Sequence, residues 1–423
     1  MLGEVPSGWR AVRVGDLGGT YNGLSGKSKE DFGSGSPFVT YRQVFSGRPI
    51  DLSGCERVQI GPTENQSSVR KGDVLFTTSS ETVEEVAFST VVHADIPGLY
   101  LNSFCFGFRP HDGASLDAHF AQYFFRGPDF RTAAIRLGQG STRYNISKTK
   151  LMEVPLRLPP LPEQKKIAAI LSSVDEAIQA TQAVIDQTRR VKEGLLQDLL
   201  TRGIGHTRFK QTEIGEIPEG WKFATVGELI EAEGGEIKTG PFGTMLSAHE
   251  YTAEGVPLVA VKEIRQGYIH IHTDTPRVPD QVQARLAQYL LRKGDIVFAR
   301  KGGVDRCAVV ETTHDMMLGS DAIRLRIPAS IYPEFVGYYL QSSRHMRWML
   351  QEASGSTMAG INQKVISRIP LCIPPFDEQL QMVGKLRDVD TALTAGRSSL
   401  RVATATKSGL LTDLLTGKVR VTP

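Results

Sequence analysis

Residues 158–171 read LPPLPEQKKIAAIL, and residues 373–386 read IPPFDEQLQMVGKL. In both stretches the Pro-Pro pair closes an extended segment, because the residue before a proline is pushed out of the helical region. Glu-Gln and a run of good helix formers then open a helix. Pro162 to Thr201 reads as one long helix whose candidate seam falls at alternating steps of four and three: Ile167, Leu171, Val174, Ile178, Thr181, Ile185, Thr188, Lys192, Leu195 and Leu199. That is the spacing of a coiled-coil seam. The same seam returns 215 residues later as Met382, Leu386, Val389, Leu393, Gly396, Leu400, Ala403, Lys407, Leu410 and Leu414. Both seams thin in the middle, at Thr181 and Thr188 or at Gly396 and Ala403, where small residues permit close approach but bury little. Each helix is expected to need the other.

Working outward, the rest of the chain is also duplicated. GEVPSGW at 3–9 returns as GEIPEGW at 215–221, RKGDVLF at 70–76 as RKGDIVF at 292–298, and Gly140-Ser-Thr142 as Gly355-Ser-Thr357. Blocks in one order over this distance are a tandem of whole modules, since solenoid repeats are far shorter. The first part of each half is rich in Gly, Thr and short β-branched runs such as Val256 to Val261 and Asp295 to Phe298, which predicts mixed α and β structure. The expected fold is therefore α+β: two mixed α/β domains in tandem, each followed by a long helix, with the helices paired as an antiparallel coiled coil. The expected divisions are 1–158 and 204–373 for the domains, the latter with its linker, and 159–203 and 374–423 for the helical regions.

At 423 residues the chain has room for two or three cores. A formal charge of +3 fits nucleic acid only if Lys and Arg gather on one face. Cys55, Cys105, Cys307 and Cys372 lie far apart without a CxxC pair, so neither a zinc ribbon nor a disulfide framework is indicated. No basic leader and no long apolar run occurs. A cytoplasmic protein that binds no membrane is expected.

The two junction sequences, the TEIGEIPEGW pattern at 212–221 and the GLLxDLLT helix ends at 194–201 and 409–416 resemble those of type I restriction-modification specificity subunits, and the resemblance spans essentially the whole chain. It implies two target-recognition domains, each reading half of a split site in double-stranded DNA. It further implies two methyltransferase subunits docked on the helical frame, restriction motor subunits that join for cleavage, and S-adenosylmethionine held by the partner methyltransferase and not by this chain. The docking surface implied is the junction itself: Pro160, Glu163 and Gln164, and Pro375, Glu378 and Gln379. The second copy departs from the first at Phe376 and Asp377, where Leu161 and Pro162 stand.

No catalytic residue is expected. An adenine methyltransferase places Asn or Asp before Pro-Pro-aromatic to hold the target amine, whereas Leu158 and Ile373 occupy that place and can accept no hydrogen bond through their side chains. Gly33-Ser-Gly-Ser36 and Gly234-Gly235 lack the Gly-Lys-Ser/Thr ending of a nucleotide loop. His270 and His272 would share one side of a strand, but no third ligand is recognisable, so no metal is expected. The alternative is a fragment of a fused restriction and methylation enzyme, which would need a catalytic region upstream.

Base reading calls for Arg, Asn or Gln on a surface whose Lys and Arg neutralise phosphates. Three loops per domain qualify. In the first they carry Arg42 and Gln43, then Thr77 and Ser79, then Arg143, Tyr144 and Asn145. In the second they carry Lys238 with Lys262, then Arg300, Lys301 and Arg306, then Thr357 and Gln363. Matching loops differ in chemistry, Thr77-Thr78-Ser79 against Ala299-Arg300-Lys301, which predicts two different half-sites. Trp9 and Trp221 could stack on bases, but their identical placement favours shared packing. Helices of about 40 residues span roughly 60 Å at 1.5 Å per residue, so they are expected to act as a ruler for the gap between half-sites.

Overall fold

A computed structural model describes residues 4–301, 306–354 and 361–421. The chain forms two compact units, residues 1–183 with 398–423, and residues 184–397. This division differs from the expected one: it passes through both long helices, so each unit owns a mixed α/β domain together with a length of each helix.

In unit 1, strand Arg10–Arg13 pairs antiparallel with Pro155–Leu158, Arg10 opposite Leu158. A four-stranded antiparallel sheet follows in the order Gly18–Asn22, Cys105–Pro110, Val74–Thr77, Ser89–Val91. A smaller sheet joins Glu56–Val58, Phe32–Val39 and Tyr100–Leu101. Helices Ala118–Phe124 and Pro128–Leu137 cover the large sheet, burying Phe76, Phe106, Phe108, Phe120, Phe125 and Phe130 in one aromatic cluster. Ile167, Ala168 and Leu171 of the first long helix and Leu414 and Leu415 of the second complete that core.

Unit 2 repeats the plan. Lys222–Thr225 pairs with Pro370–Ile373, and the large sheet runs Glu236–Thr239, Ala322–Arg326, Ile296–Ala299, Cys307–Val309. Arg277–Val278, Val256–Val259 and Met317–Leu318 form the small sheet. Its core is likewise completed by Leu196, Leu199 and Leu200 of the first helix and Met382, Val383 and Leu386 of the second.

The long helices are Leu161–Arg202 and Phe376–Leu415. Pro162 sits in the first turn, where its missing N–H costs nothing; Asp377, its counterpart, places a carboxylate near the positive end of the helix dipole. The substitution therefore keeps a good helix start by different means. Every seam position is buried or half-buried. In unit 1 the helices run antiparallel, with Lys407 2.5 Å from Asp175; in unit 2 Lys192 lies 2.7 Å from Asp390. Each lysine also lies over a tyrosine ring, Tyr123 or Tyr338, whose hydroxyl donates to the same aspartate at 2.8 Å. The apolar stem of a seam lysine is thus buried while its charge is met. In unit 2, Gly396 does what its size suggested: a Cβ there would lie 3.0 Å from Ile185 Cγ1.

The repeated RKGD block has a structural explanation. Asp73 accepts from Arg70 N–H (2.8 Å), from the Arg109 guanidinium through two bonds (2.8 and 2.7 Å) and from Tyr21 Oη (2.6 Å). Asp295 accepts from Arg292 N–H (2.7 Å) and twice from Arg326 (2.7 and 2.8 Å). One carboxylate closes the turn before the central strand and neutralises an arginine on the neighbouring strand.

Candidate nucleic-acid interface

The central strands of the two large sheets end in the same backbone frame. In unit 2, Arg300 N–H donates to Asp321 O (3.0 Å), Ile361 N–H donates to Arg300 O (3.1 Å), and Gly240 N–H donates to Ala322 O (3.0 Å). In unit 1, Thr78 N–H donates to Phe104 O (3.0 Å), Ile146 N–H to Thr78 O (3.1 Å), and Gly23 N–H to Cys105 O (3.3 Å). Gly23 and Gly240 are required by close approach, since a Cβ would fall 2.1 Å from Asn102 O or 1.8 Å from Gly319 O. A third loop is tied in by side chains: Gln363 Nε2 donates to Thr239 Oγ1 at 2.9 Å, and Lys148 Nζ donates to Asn22 Oδ1 at the matching place. The frame therefore equates Thr78 with Arg300, Ser79 with Lys301, Phe104 with Asp321, Asn22 with Thr239 and Lys148 with Gln363.

On this frame the expected residues fare unequally. Arg300 is half-buried with its guanidinium over the Phe242 ring, 5.9 Å from the centroid. Lys301 is exposed and 3.7 Å from Asp321. Gln363 is exposed beside Thr239. Lys238 is more constrained, 3.2 Å from Glu236 and over the Tyr289 ring. Arg306 is half-buried, and its carbonyl accepts from Ala299 N–H at 2.9 Å. Lys262 is exposed, with its carbonyl 3.4 Å from His272 Nε2. Thr357 lies outside the described residues.

In unit 1, Arg42, Arg143 and Asn145 are exposed and Tyr144 is half-buried. Thr77 and Ser79 are buried, which corrects their expected role. Alternation along extended chain turns both inward and leaves Thr78 as the residue that faces out; Ser79 also pairs with Asn145 and its carbonyl accepts from Tyr41 Oη at 2.7 Å. Gln43 is likewise spent within the domain, closing its own helix against Thr40 and donating to Asp51 O at 2.6 Å. Sequence reasoning misses Asn22, Lys148, Phe104 and Asp321, although Lys148 stands 215 residues before Gln363, the offset of the junction sequences.

The junction residues expected to face a partner divide. Pro160 and Pro375 are exposed, but Glu163, Gln164 and Gln379 are buried and Glu378 is half-buried. Glu163 accepts from Trp9 Nε1 (2.9 Å) and from Arg420 through two bonds (both 2.8 Å). Burial pushes its carboxyl up, yet Arg420, Trp9 and the Val421 N–H together hold it below the usual range. Glu378 meets Trp221 Nε1 (3.1 Å), Ile204 N–H (2.8 Å) and His206 Nε2 (3.0 Å) in the same way. Gln164 receives Asp117 N–H and donates to Ser115 O and Pro159 O, each at 2.8 Å; Gln379 receives Tyr332 N–H at 2.8 Å and donates to Pro374 O at 2.9 Å. These four side chains fasten helix starts to domains. Trp9 and Trp221 are buried and take no part in a base-stacking surface.

Leu158 and Ile373 are buried strand ends. His270 and His272 have ring centroids 4.1 Å apart, and among the described residues no group of three or more His, Cys, Asp or Glu could hold a metal. None of the helices among the described residues is long and apolar enough to cross a membrane.

Two copies of one frame with different side chains at the strand ends agree with comparison to known proteins. The sequence pattern of the type I restriction modification DNA specificity domain matches residues 6–188 and again residues 218–400. The chain belongs to this family. Among its relatives, the putative type I restriction enzyme MjaX specificity subunit of Methanocaldococcus jannaschii is 27% identical over 434 residues, covering 99% of this chain and 96% of that protein. The MjaVIII specificity subunit of the same organism is 27% identical over 284 residues, covering 66% of this chain and 65% of that protein. The type I S subunit from M. genitalium shares the fold with a TM-score of 0.57 at 15% identity, covering 96% of each chain. A chain solved in work on complex assembly of the type I R-M system does so with a TM-score of 0.60 at 19% identity, covering 98% of this chain and 100% of that one. The α+β specificity-domain fold with long paired helices is thereby established, and the fused-enzyme alternative gains no support from these relatives.

Proposed function

We propose that this chain is the sequence-reading subunit of a type I restriction-modification complex, that each unit reads one half of a bipartite DNA site, and that separate methyltransferase and restriction subunits carry out the chemistry. S-adenosylmethionine is held by the methyltransferase partner, and the complex works in the cytoplasm. The observation that carries this reading is the pair of equivalent strand ends: one backbone frame displays Arg300, Lys301, Asp321 and Gln363 in unit 2 but Thr78, Phe104 and Lys148 in unit 1, where Ser79 is turned inward. A constant frame with exchanged polar side chains suits a domain that selects bases. Leu158 and Ile373, as buried strand ends, offer no acceptor to a target amine. The purified chain is expected to transfer no methyl group, whereas cells expressing it with its methyltransferase are expected to carry a two-part methylated motif that vanishes when the chain is deleted. Single-molecule sequencing of methylated bases reads this directly; methyl transfer by the chain alone, or a motif indifferent to its deletion, would overturn the proposal.

A further inference from the structure

Arg300 and Lys301 are neighbours held in opposite ways. The Arg300 backbone is pinned on both sides, its N–H to Asp321 O and its carbonyl to Ile361 N–H. Its guanidinium rests over Phe242, an aromatic ring left 57% exposed, so shelf and cation stand together at the surface. The acid at this turn, Asp321, pairs with Lys301 at 3.7 Å and not with Arg300, and the Lys301 side chain is 73% exposed. A mobile ammonium suffices for a phosphate, which carries no sequence information. A base edge demands a planar donor pair fixed in advance, and the guanidinium fork matches O6 and N7 of guanine; attraction to the face of an aromatic ring holds the cation in place.

We propose that Arg300, braced by Phe242, reads a guanine in the half-site bound by unit 2, while Lys301 meets phosphate. The inference rests on the chain being a DNA-reading subunit. At the equivalent place in unit 1, Thr78 has one hydroxyl and no bidentate fork, so the corresponding base pair of the other half-site is read without an arginine.

The test is methylated-motif sequencing in cells carrying the chain with its methyltransferase, comparing wild type with Arg300→Ala, Phe242→Leu and Lys301→Ala. With Arg300→Ala, one guanine of one half-site is expected to become degenerate, discrimination falling roughly 5- to 150-fold, with the other half-site and the gap unchanged. Phe242→Leu relaxes the same position in part. Lys301→Ala lowers methylation at all sites without altering the motif. An intact motif with Arg300→Ala, even at lower occupancy, overturns the proposal, as does a change in both half-sites. If Arg300→Ala abolishes methylation, binding of the purified chain–methyltransferase complex to duplexes varied at each base decides: loss confined to guanine discrimination supports it, and equal loss on every sequence overturns it. A wild-type complex without a chain-dependent two-part motif would instead defeat the specificity-subunit reading, and this proposal with it.

Discussion

Replacing Asp295 with alanine is expected to destabilise unit 2 by about 2–3 kcal/mol, through loss of the charge-assisted hydrogen bonds to a buried carboxylate whose arginine partner keeps some access to water. The carboxylate is buried and accepts three hydrogen bonds, from the Arg292 N–H and from Nε and one Nη of Arg326. Alanine removes all three bonds together, at the start of the central strand that carries Arg300. Asp73→Ala is expected to do the same in unit 1, where Tyr21 supplies a further donor. Urea unfolding of the full chain measures both; a loss below about 1 kcal/mol would show that the arginine finds water instead and that the block is not structural.

The second large effect is on acid stability. His345 is buried between Tyr339 and Trp348, the latter ring stacked at 6.1 Å, and burial pushes its pKa down to about 4. Above its unfolded value of about 6.5, neither folded nor unfolded chain protonates this ring, and its contribution to stability is complete. Between pH 6.5 and pH 4 only the unfolded chain takes up the proton, so stability falls as the pH falls, by about 3 kcal/mol in all. Below pH 4 both states are protonated and this group costs nothing more. His345→Phe keeps a ring in the aromatic stack and is expected to flatten that slope. A wild-type-like slope in the variant would place the acid sensitivity elsewhere.

The helices and the tandem were legible because they are written as periodicity and repetition. A 3.5-residue spacing survives any loop insertion, and the seam from Ile167 to Leu199 has its polar members, Lys192 included, turned inward as read. The strand ends proposed to read DNA were legible only as loops. Which residue faces out there depends on alternation at a strand end, and Thr78 was hidden between Thr77 and Ser79, which resemble it in composition and point the other way. The junction was misread for a related reason. Glu163 and Gln164 stand in a polar stretch beside exposed prolines and look solvated; Glu163 is held by Trp9, 154 residues away, and Arg420, 257 residues away, and Gln164 by Asp117, 47 residues away, and Ser115, 49 residues away. Local sequence carries no trace of partners at that distance. Nor does it show that both helices belong to both cores.

That sharing bears on how the protein is made. A ribosome delivers all of residues 184–397, the whole of unit 2, before it delivers Leu414, Leu415 and Arg420, which complete the core and the Trp9–Glu163 clasp of unit 1. Domains commonly fold in the order of synthesis, N-terminal first, but here the first domain translated is the last whose core can close, and Ile167 and Leu171 wait without their helical partner until then. A stop codon just before residue 398 would consequently spare the later-made recognition unit and leave the earlier one open, so that nonsense mutations late in the gene strike the reading of the half-site encoded first.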